Sequence, residues 1–312
     1  MTGTQQADSA EPVVSVVIPH FNMPDALARC LASVTAQQVD GAVEIIVVDN
    51  ASRITPEAAV AQFPGVRLIG ETTPGPGPAR NAGIAAARAP ILAFIDADCR
   101  AGPGWLQSAV DSVRAGGARG LAGGDVRIDV RDPDRLTPME AYEAVFGYRQ
   151  RMYIEKQGFS ATLNLAMHRD VFTAVGPFAG IGIAEDRDWG LRATAAGFRH
   201  AYCQPMLVYH PARGSMAELW RKWQRHIAHD LAEHRAAGRP VLFWLGKAGL
   251  MPVSVLIDGL RLLASPRVPG LANKWRGLAV LARIRMMRAA EMLRVIGAGN
   301  EDAGTHWQKD KA

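Results

Sequence analysis

Short apolar segments alternate with helical patterns through the first hundred residues, and this alternation limits the possible folds more than any other feature. Largely apolar runs of strand length occur at residues 13–18, 44–48, 66–69 and 91–95. Such runs are typical of strands buried on both faces of a parallel sheet. We therefore predict an α/β fold with a mainly parallel sheet and helices on both faces.

The rest of the chain carries further helical and strand patterns. We predict helices at residues 24–34, 55–62, 79–88, 138–152 and 215–234 and a strand at 123–128. Residues 241–263 and 271–295 are apolar but interrupted by charged side chains, and 241–263 also contains Pro252. This pattern suits helices that lie on a membrane surface and, equally, helices that pack on the main domain.

Length and charge suggest one domain with an extension. At 312 residues the chain is long for one α/β domain and short for two. We predict a disordered segment at 1–12, an α/β domain at 13–212 and a helical extension at 213–312. The extension carries 17 Lys and Arg against 8 Asp and Glu, whereas residues 1–212 carry 18 against 22. A basic extension predicts contact with an anionic membrane surface. Nucleic acid is not predicted as a partner, because no basic run with interleaved aromatic residues occurs.

Cysteine use and the N-terminal sequence bear on the compartment. The three cysteines, Cys30, Cys99 and Cys203, are far apart and form no metal-binding pair, which fits a reducing compartment. Residues 1–11 lack the basic start and apolar core of a signal peptide. No run of 18 uninterrupted apolar residues marks a membrane-spanning helix. We predict a cytoplasmic protein, attached peripherally to the cytoplasmic face of the inner membrane.

Polar residues follow the predicted strands where each strand ends. They are Pro19-His20-Phe21-Asn22, Asp49-Asn50, Arg80-Asn81 after a Gly/Pro-rich loop, and Asp96-Ala97-Asp98. Ligands of α/β sheets bind at the carboxyl ends of the strands. Two carboxylates there can hold a divalent cation and, through it, a diphosphate, although the same residues are common in solvated turns. A dinucleotide site is excluded because no G-x-G-x-x-G follows the first strand.

The order and spacing of these motifs resemble family 2 glycosyltransferases with the GT-A fold. The resemblance implies a Rossmann-like α/β fold whose sheet is mixed but mainly parallel. The resemblance runs from about Val14 to His210. Its second half includes the segments 162–169, 175–178 and 185–192, and the last of these contains Glu185-Asp186-Arg187-Asp188.

The resemblance implies roles for individual residues on the donor side. The residues implied in nucleotide binding are Pro19, Phe21, Asn22, Asp49, Arg80 and Asp96. Asp98 and His210 are implied as ligands of Mn²⁺ or Mg²⁺, which would bridge the diphosphate. A hydrogen-bonded surface role is the alternative for His210.

The resemblance also implies roles on the acceptor side. Asp186 is the implied general base that deprotonates the acceptor hydroxyl, with Glu185 as the second choice. Acceptor-binding or structural roles fall to Asp188, Arg192 and Asn164. Arg192 lies one helical turn beyond Asp188, which predicts an ion pair between them or a contact of Arg192 with the diphosphate.

Together these features predict an inverting glycosyltransferase. It would move a single sugar from a nucleotide diphosphate sugar, with UDP favoured, to a saccharide or a lipid-linked acceptor. The Q-x-x-R-W signature of polymer-forming relatives is replaced by Arg221-Lys222-Trp223-Gln224-Arg225. One alternative is a sugar nucleotidyltransferase, but His20-Phe21-Asn22 is not the Gly- and Arg-rich loop it needs. Another is an inactive saccharide-binding or assembly protein, which would be expected to lack Asp98 or the pair Glu185-Asp186.

Overall fold

The structure is a computed structural model that describes residues 11–181 and 183–297. The chain divides into two compact units. The first unit runs to Val126 and also includes Gln150–Gly180 and Glu185–Tyr209, and the second contains Arg127–Arg149, Ile181–Ala184 and the chain from His210 onward. The domain limits 13–212 and 213–312 stay a prediction. Residues 1–10 of the segment predicted to be disordered lie outside the described residues.

An eight-stranded sheet forms the centre of the first unit, in the order β3-β2-β1-β4-β7-β6-β8-β5. Strands β1 to β4 are parallel, whereas β7 is antiparallel to both β4 and β6, and β5 is antiparallel to β8. The strands are β1 (Val14–His20), β2 (Val43–Asp49), β3 (Val66–Gly70), β4 (Ile91–Ile95), β5 (Arg100–Ala101), β6 (Leu121–Asp129), β7 (Asn164–His168) and β8 (Ala201–Pro211). The predicted mixed, mainly parallel sheet is confirmed.

The register of the strands brings polar residues to one edge of the sheet. His20 is paired with Asp49 at the ends of β1 and β2, and Ile95, which precedes Asp96, is paired with Asn164. The strand interiors are mainly apolar, and β4 is buried along its whole length. Burial of these runs supplies the main stabilisation of the sheet and leaves the polar groups at its edge.

The helices of the first unit connect these strands. They are α1 (Pro24–Thr35), α2 (Glu57–Val60), α3 (Pro76–Ala86), α4 (Trp105–Ala115), α6 (Gln150–Met152), α7 (Arg169–Val175) and α8 (Glu185–Ala195). Helix α3 begins three residues before its predicted start, because proline fits the first turn of a helix. A Cβ atom on Gly77 would lie 1.9 Å from the backbone oxygen of Ala179, so glycine is required for this close approach.

The second unit is helical. Its helices are α5 (Pro138–Phe146), α9 (Met216–Ala236), α10 (Val241–Ala264) and α11 (Leu271–Gly297). Helix α5 begins with a capping box between Thr137 and Glu140 and ends before Gly147, so the single helix predicted at 138–152 is wrong. Apolar side chains of all four helices form its core, including Tyr142, Leu219, Leu262 and Leu281.

Helix α10 covers the whole of residues 241–263, where charged residues interrupt the apolar sequence, so a helix forms there as predicted. It continues through Pro252, and its charged side chains have partners: Lys247 pairs with Asp230, and Asp258 pairs with Arg261 and Arg285. Within the described residues, one helix is long and apolar enough to cross a membrane, and it is α10. A minor part of this helix is buried.

Candidate active site

Asp49 is held in place by a histidine. The Asp49 Oδ1 atom lies 3.0 Å from Nδ1 of His20, which is buried at the end of β1. The His20 Nε2 atom accepts a hydrogen bond from the backbone N–H of Met23, so the ring proton is on Nδ1 and is donated to Asp49. The backbone N–H of Ser52 donates to the other carboxylate oxygen. The sequence pattern indicates that His20 lies at a strand end but does not indicate its contact with Asp49.

Two asparagines shape the loops beside Asp49. The Asn22 Oδ1 atom accepts hydrogen bonds from the backbone N–H groups of Arg53 and Ile54, and Asn22 has a φ of 54°, in the left-handed region. The Asn50 side chain bonds the backbone at Glu71, Thr73 and Gly75 and so fixes the Gly/Pro-rich loop before α3. Asn22 therefore has a structural role here. Nucleotide contacts of Asn22, Pro19 and Phe21 stay predictions.

Arg80 joins two acidic motifs that are far apart in sequence. Its guanidinium group donates to Oδ1 of Asp96 at 2.7 Å and to Oε1 of Glu185 at 2.9 Å. The Arg80 side chain is buried, and both carboxylates are partly exposed. Charge-assisted hydrogen bonds of this length are strong. The two terminal nitrogens of Arg80 are thus bound by protein carboxylates, and a contact with the nucleotide stays a prediction.

The adjacent Asn81 fixes the segment that leads to α8. Its side chain accepts a hydrogen bond from the backbone N–H of Phe178 and donates to the carbonyl of the same residue, both at 2.9 Å. Phe178 packs against Phe94 of β4 and against Trp189 of α8. Helix α3 therefore positions both the end of β4 and the start of α8.

Asp98 is half-buried beyond the end of β4. Its Oδ1 atom lies 3.5 Å from the Sγ atom of Cys99, whose pKa is raised by burial and by Asp98. Cys99 is therefore a buried, neutral thiol. Tyr209, the residue before His210, is paired with Arg100 in the sheet. The His210 ring lies 4.9 Å from the Tyr148 ring, and the roles of Asp98 and His210 as metal ligands stay predictions.

Asp186 has the electrostatic environment of a proton acceptor. Burial and the neighbouring Glu185 carboxylate raise its pKa to about 6, although a hydrogen bond from the Arg187 N–H and the charge of Arg80 lower it. A raised carboxylate pKa makes the group a stronger base near neutral pH. Glu185 differs, because its Oε1 atom is already bound by Arg80.

The remaining predicted residues have structural partners. Arg192 pairs with Asp188 at 2.9 Å and also donates to the carbonyls of Val175 and Pro177. Asn164 is buried and donates to the carbonyls of Asp125 and Met206, while its Oδ1 atom accepts from Trp105. The contacts of Arg192 and Asn164 therefore agree with a structural role, which was one of the two roles that the resemblance implied for them.

Known proteins resemble this chain in sequence and in fold. The family model of glycosyl transferase family 2 matches residues 15–179. The glycosyltransferase AglE of Haloferax volcanii is 34% identical over 221 residues, which cover 69% of this chain and 71% of AglE.

Two solved structures share the fold. The mannosyltransferase PcManGT from Pyrobaculum calidifontis, in complex with GDP-Man and Mn²⁺, has a TM-score of 0.54 and 19% identity, over 96% of this chain and 80% of that chain. Glucosyl-3-phosphoglycerate synthase from Mycobacterium tuberculosis, in complex with Mn²⁺, UDP and glucosyl-3-phosphoglycerate, has a TM-score of 0.51 and 23% identity, over 73% and 81%.

The sheet, the acids at its edge and these similarities define a glycosyltransferase with the GT-A fold. Within this class, the chain belongs to glycosyl transferase family 2.

Proposed function

We propose that this enzyme transfers a single sugar, with inversion, from a nucleotide diphosphate sugar to a hydroxyl group of a saccharide or lipid-linked acceptor. The observation that carries the proposal is the bridge from Arg80 to Asp96 and Glu185, which unites the acids after β4 with those at the start of α8. In this proposal, Asp96 serves the donor side of the site, and Asp186, next to Glu185, serves the acceptor side as the base. UDP is the favoured nucleotide, and GDP is the first alternative to test.

Asp186 is the proposed general base. It would accept the proton of the acceptor hydroxyl as that oxygen attacks the anomeric carbon from the face opposite the diphosphate. Its pKa of about 6 allows it to be ionised at neutral pH and still to bind a proton during attack. Glu185 would orient the site through Arg80 rather than take the proton.

A divalent cation fits the donor set. Carboxylate oxygens suit Mn²⁺ and Mg²⁺, and Mn²⁺ also accepts imidazole nitrogen, so Asp98 and His210 are suitable ligands. Asp96 is less suitable, because Arg80 binds one of its oxygens, and it is assigned to the ribose. The bound cation would offset negative charge on the departing nucleoside diphosphate. The neighbours solved with Mn²⁺ and nucleotide support a divalent cation as the cofactor.

Transfer assays with purified enzyme test the function. UDP-, GDP- and dTDP-sugars are supplied with Mn²⁺, and the anomeric configuration of the product is read by NMR. We expect Asp98→Ala and Asp186→Asn each to reduce kcat at least about 100-fold, as loss of a general base or of a charge-stabilising group does. Asp25→Asn, at an exposed acid in α1, is the matched control. Full activity of Asp186→Asn, or retention of configuration, contradicts the mechanism.

We also propose that the second unit attaches the enzyme to an anionic membrane surface. The apolar side chains of α10 include Leu242, Phe243, Leu256 and Leu260, each at least 70% exposed. Exposed apolar patches of this extent mark interaction sites, and the basic charge of the C-terminal region favours anionic lipid. Release of the enzyme from membranes by alkaline carbonate is expected for peripheral attachment. Resistance to carbonate would show that α10 spans the bilayer, and absence of vesicle binding at low salt would refute attachment.

A further inference from the structure

A cluster of charged side chains in the second unit has no role in the reaction described above. Glu143 of α5 is buried and accepts hydrogen bonds from the backbone N–H of Arg213, at 2.8 Å, and from its guanidinium group. Tyr148 also forms a hydrogen bond with Arg213. The Lys222 Nζ atom of α9 lies 5.4 Å from the centroid of the Tyr148 ring. We call these four residues the Glu143 cluster.

Lys222 lacks a carboxylate of its own in this cluster. Its Nζ atom donates to the carbonyl of Gly147 at 3.3 Å, while the Glu143 oxygen, 4.0 Å away, is already bound by Arg213. Burial and the charge of Arg213 lower the pKa of Lys222 to about 7, although Glu143 acts in the opposite direction and Arg225 in the same direction. One carboxylate therefore serves two largely buried cations, and an ammonium group has three donors to satisfy.

We propose that the Glu143 cluster binds a phosphate group of the acceptor through Lys222 and Arg213. A phosphate supplies both the negative charge and the oxygen acceptors that the cluster lacks. The inference rests on the proposed function, because it assigns a chemical class to the acceptor of that reaction.

Two other features of the second unit agree with an acceptor site. The Tyr148 ring lies against His210, the predicted metal ligand. The same unit carries the exposed apolar face of α10, which suits a phosphate borne by a lipid. The shared chemistry is a phosphate monoester or diphosphate, whether lipid-borne or free.

Calorimetric titration of the full-length enzyme tests the site. The probes are geranyl phosphate, inorganic pyrophosphate and the neutral alcohol geraniol, all in EDTA so that no cation recruits phosphate to Asp98. The main variant is Lys222→Met, and Lys222→Arg is the conservative variant. Lys247→Met is the matched control, because Lys247 is a partly exposed lysine of the same unit that pairs with Asp230. Thermal unfolding of each variant checks that the fold is retained.

We expect geranyl phosphate to bind the wild type and geraniol to bind much more weakly. Lys222→Met should weaken phosphate binding about tenfold or more, the effect of losing one charged hydrogen bond, while Lys222→Arg and Lys247→Met stay close to the wild type. Tighter binding of geranyl phosphate than of pyrophosphate identifies a lipid-borne phosphate, and the reverse identifies a soluble one.

The proposal is overturned if neither phosphate binds, if geraniol binds as tightly as geranyl phosphate, or if folded Lys222→Met binds as the wild type does. The proposed function fails in a different way. An enzyme that transfers no sugar but still binds geranyl phosphate through Lys222 would contradict the function and leave the phosphate site intact.

Discussion

Removal of the Arg80 guanidinium group should destabilise the protein. Only 3% of the Arg80 side chain is exposed, whereas its partners Asp96 and Glu185 are 32% and 20% exposed. Loss of one partner of a fully buried ion pair costs about 3–5 kcal/mol. Because water reaches both carboxylates here, we expect Arg80→Met to lower the free energy of unfolding by about 3 kcal/mol, at the bottom of that range.

Urea unfolding of a double-mutant cycle measures the bridge itself. The cycle compares the wild type, Arg80→Met, Glu185→Gln and the double variant. A coupling of about 1–2 kcal/mol is expected between two residues in direct charged contact. Arg80→Lys is the conservative variant, and it should be intermediate because a single ammonium group lacks the fork that reaches both carboxylates.

The same substitution should also move the pH profile of transfer. The charge of Arg80 lowers the pKa of Asp186, so its removal raises that pKa. The proposed base must be ionised, and kcat/KM should therefore rise with pH through about 6 in the wild type and at higher pH in Arg80→Met. Equal unfolding free energies together with an unmoved profile would falsify the bridging role.

Further predictions concern stability away from the site. Burial raises the pKa of Glu44, but hydrogen bonds from one serine and two arginines lower it to about 2, below its ordinary 4.5. Glu44 therefore stabilises the fold above about pH 4.5, and urea unfolding from pH 5 to 2 should show the wild type losing its advantage over Glu44→Gln as the pH falls. Gly77→Ala should lower the melting temperature, because its Cβ atom would clash with Ala179, whereas Gly246→Ala, in an open part of α10, should raise it slightly; equal melting temperatures would contradict the clash.

Local sequence pattern predicts β1 to β4 because each is a short, largely apolar run bounded by turn residues, and it predicts part of β6. It does not predict β5, β7 and β8. The pairing of His20 with Asp49 follows from two strands that end at the same level of the sheet. The first and last residues of the helices are harder to predict from the sequence. Pro76 and Pro78 look like loop residues, yet the first turn of a helix tolerates proline, and the charges of α10 are neutralised by partners on other helices.

Contacts across long sequence distances could not be predicted from the residues. Arg80 and Glu185 are 105 positions apart, and their ion pair depends on how α3 and α8 are placed. The resemblance to the family named both residues but assigned Arg80 to the nucleotide. The burial of Arg80 between two acidic motifs is seen in the folded structure and cannot be inferred from the sequence.

The path of the chain through the second unit limits how this enzyme could be divided or recombined. Residues 127–149 belong to that unit although they lie in sequence between Asp98 and Glu185, which are both in the first unit. A chain cut at residue 212 would keep α5 but lose the helices that cover Tyr142 and Phe146. Exchange of C-terminal regions between relatives should therefore succeed only when residues 127–149 are exchanged with them, because α5 shares its core with those helices.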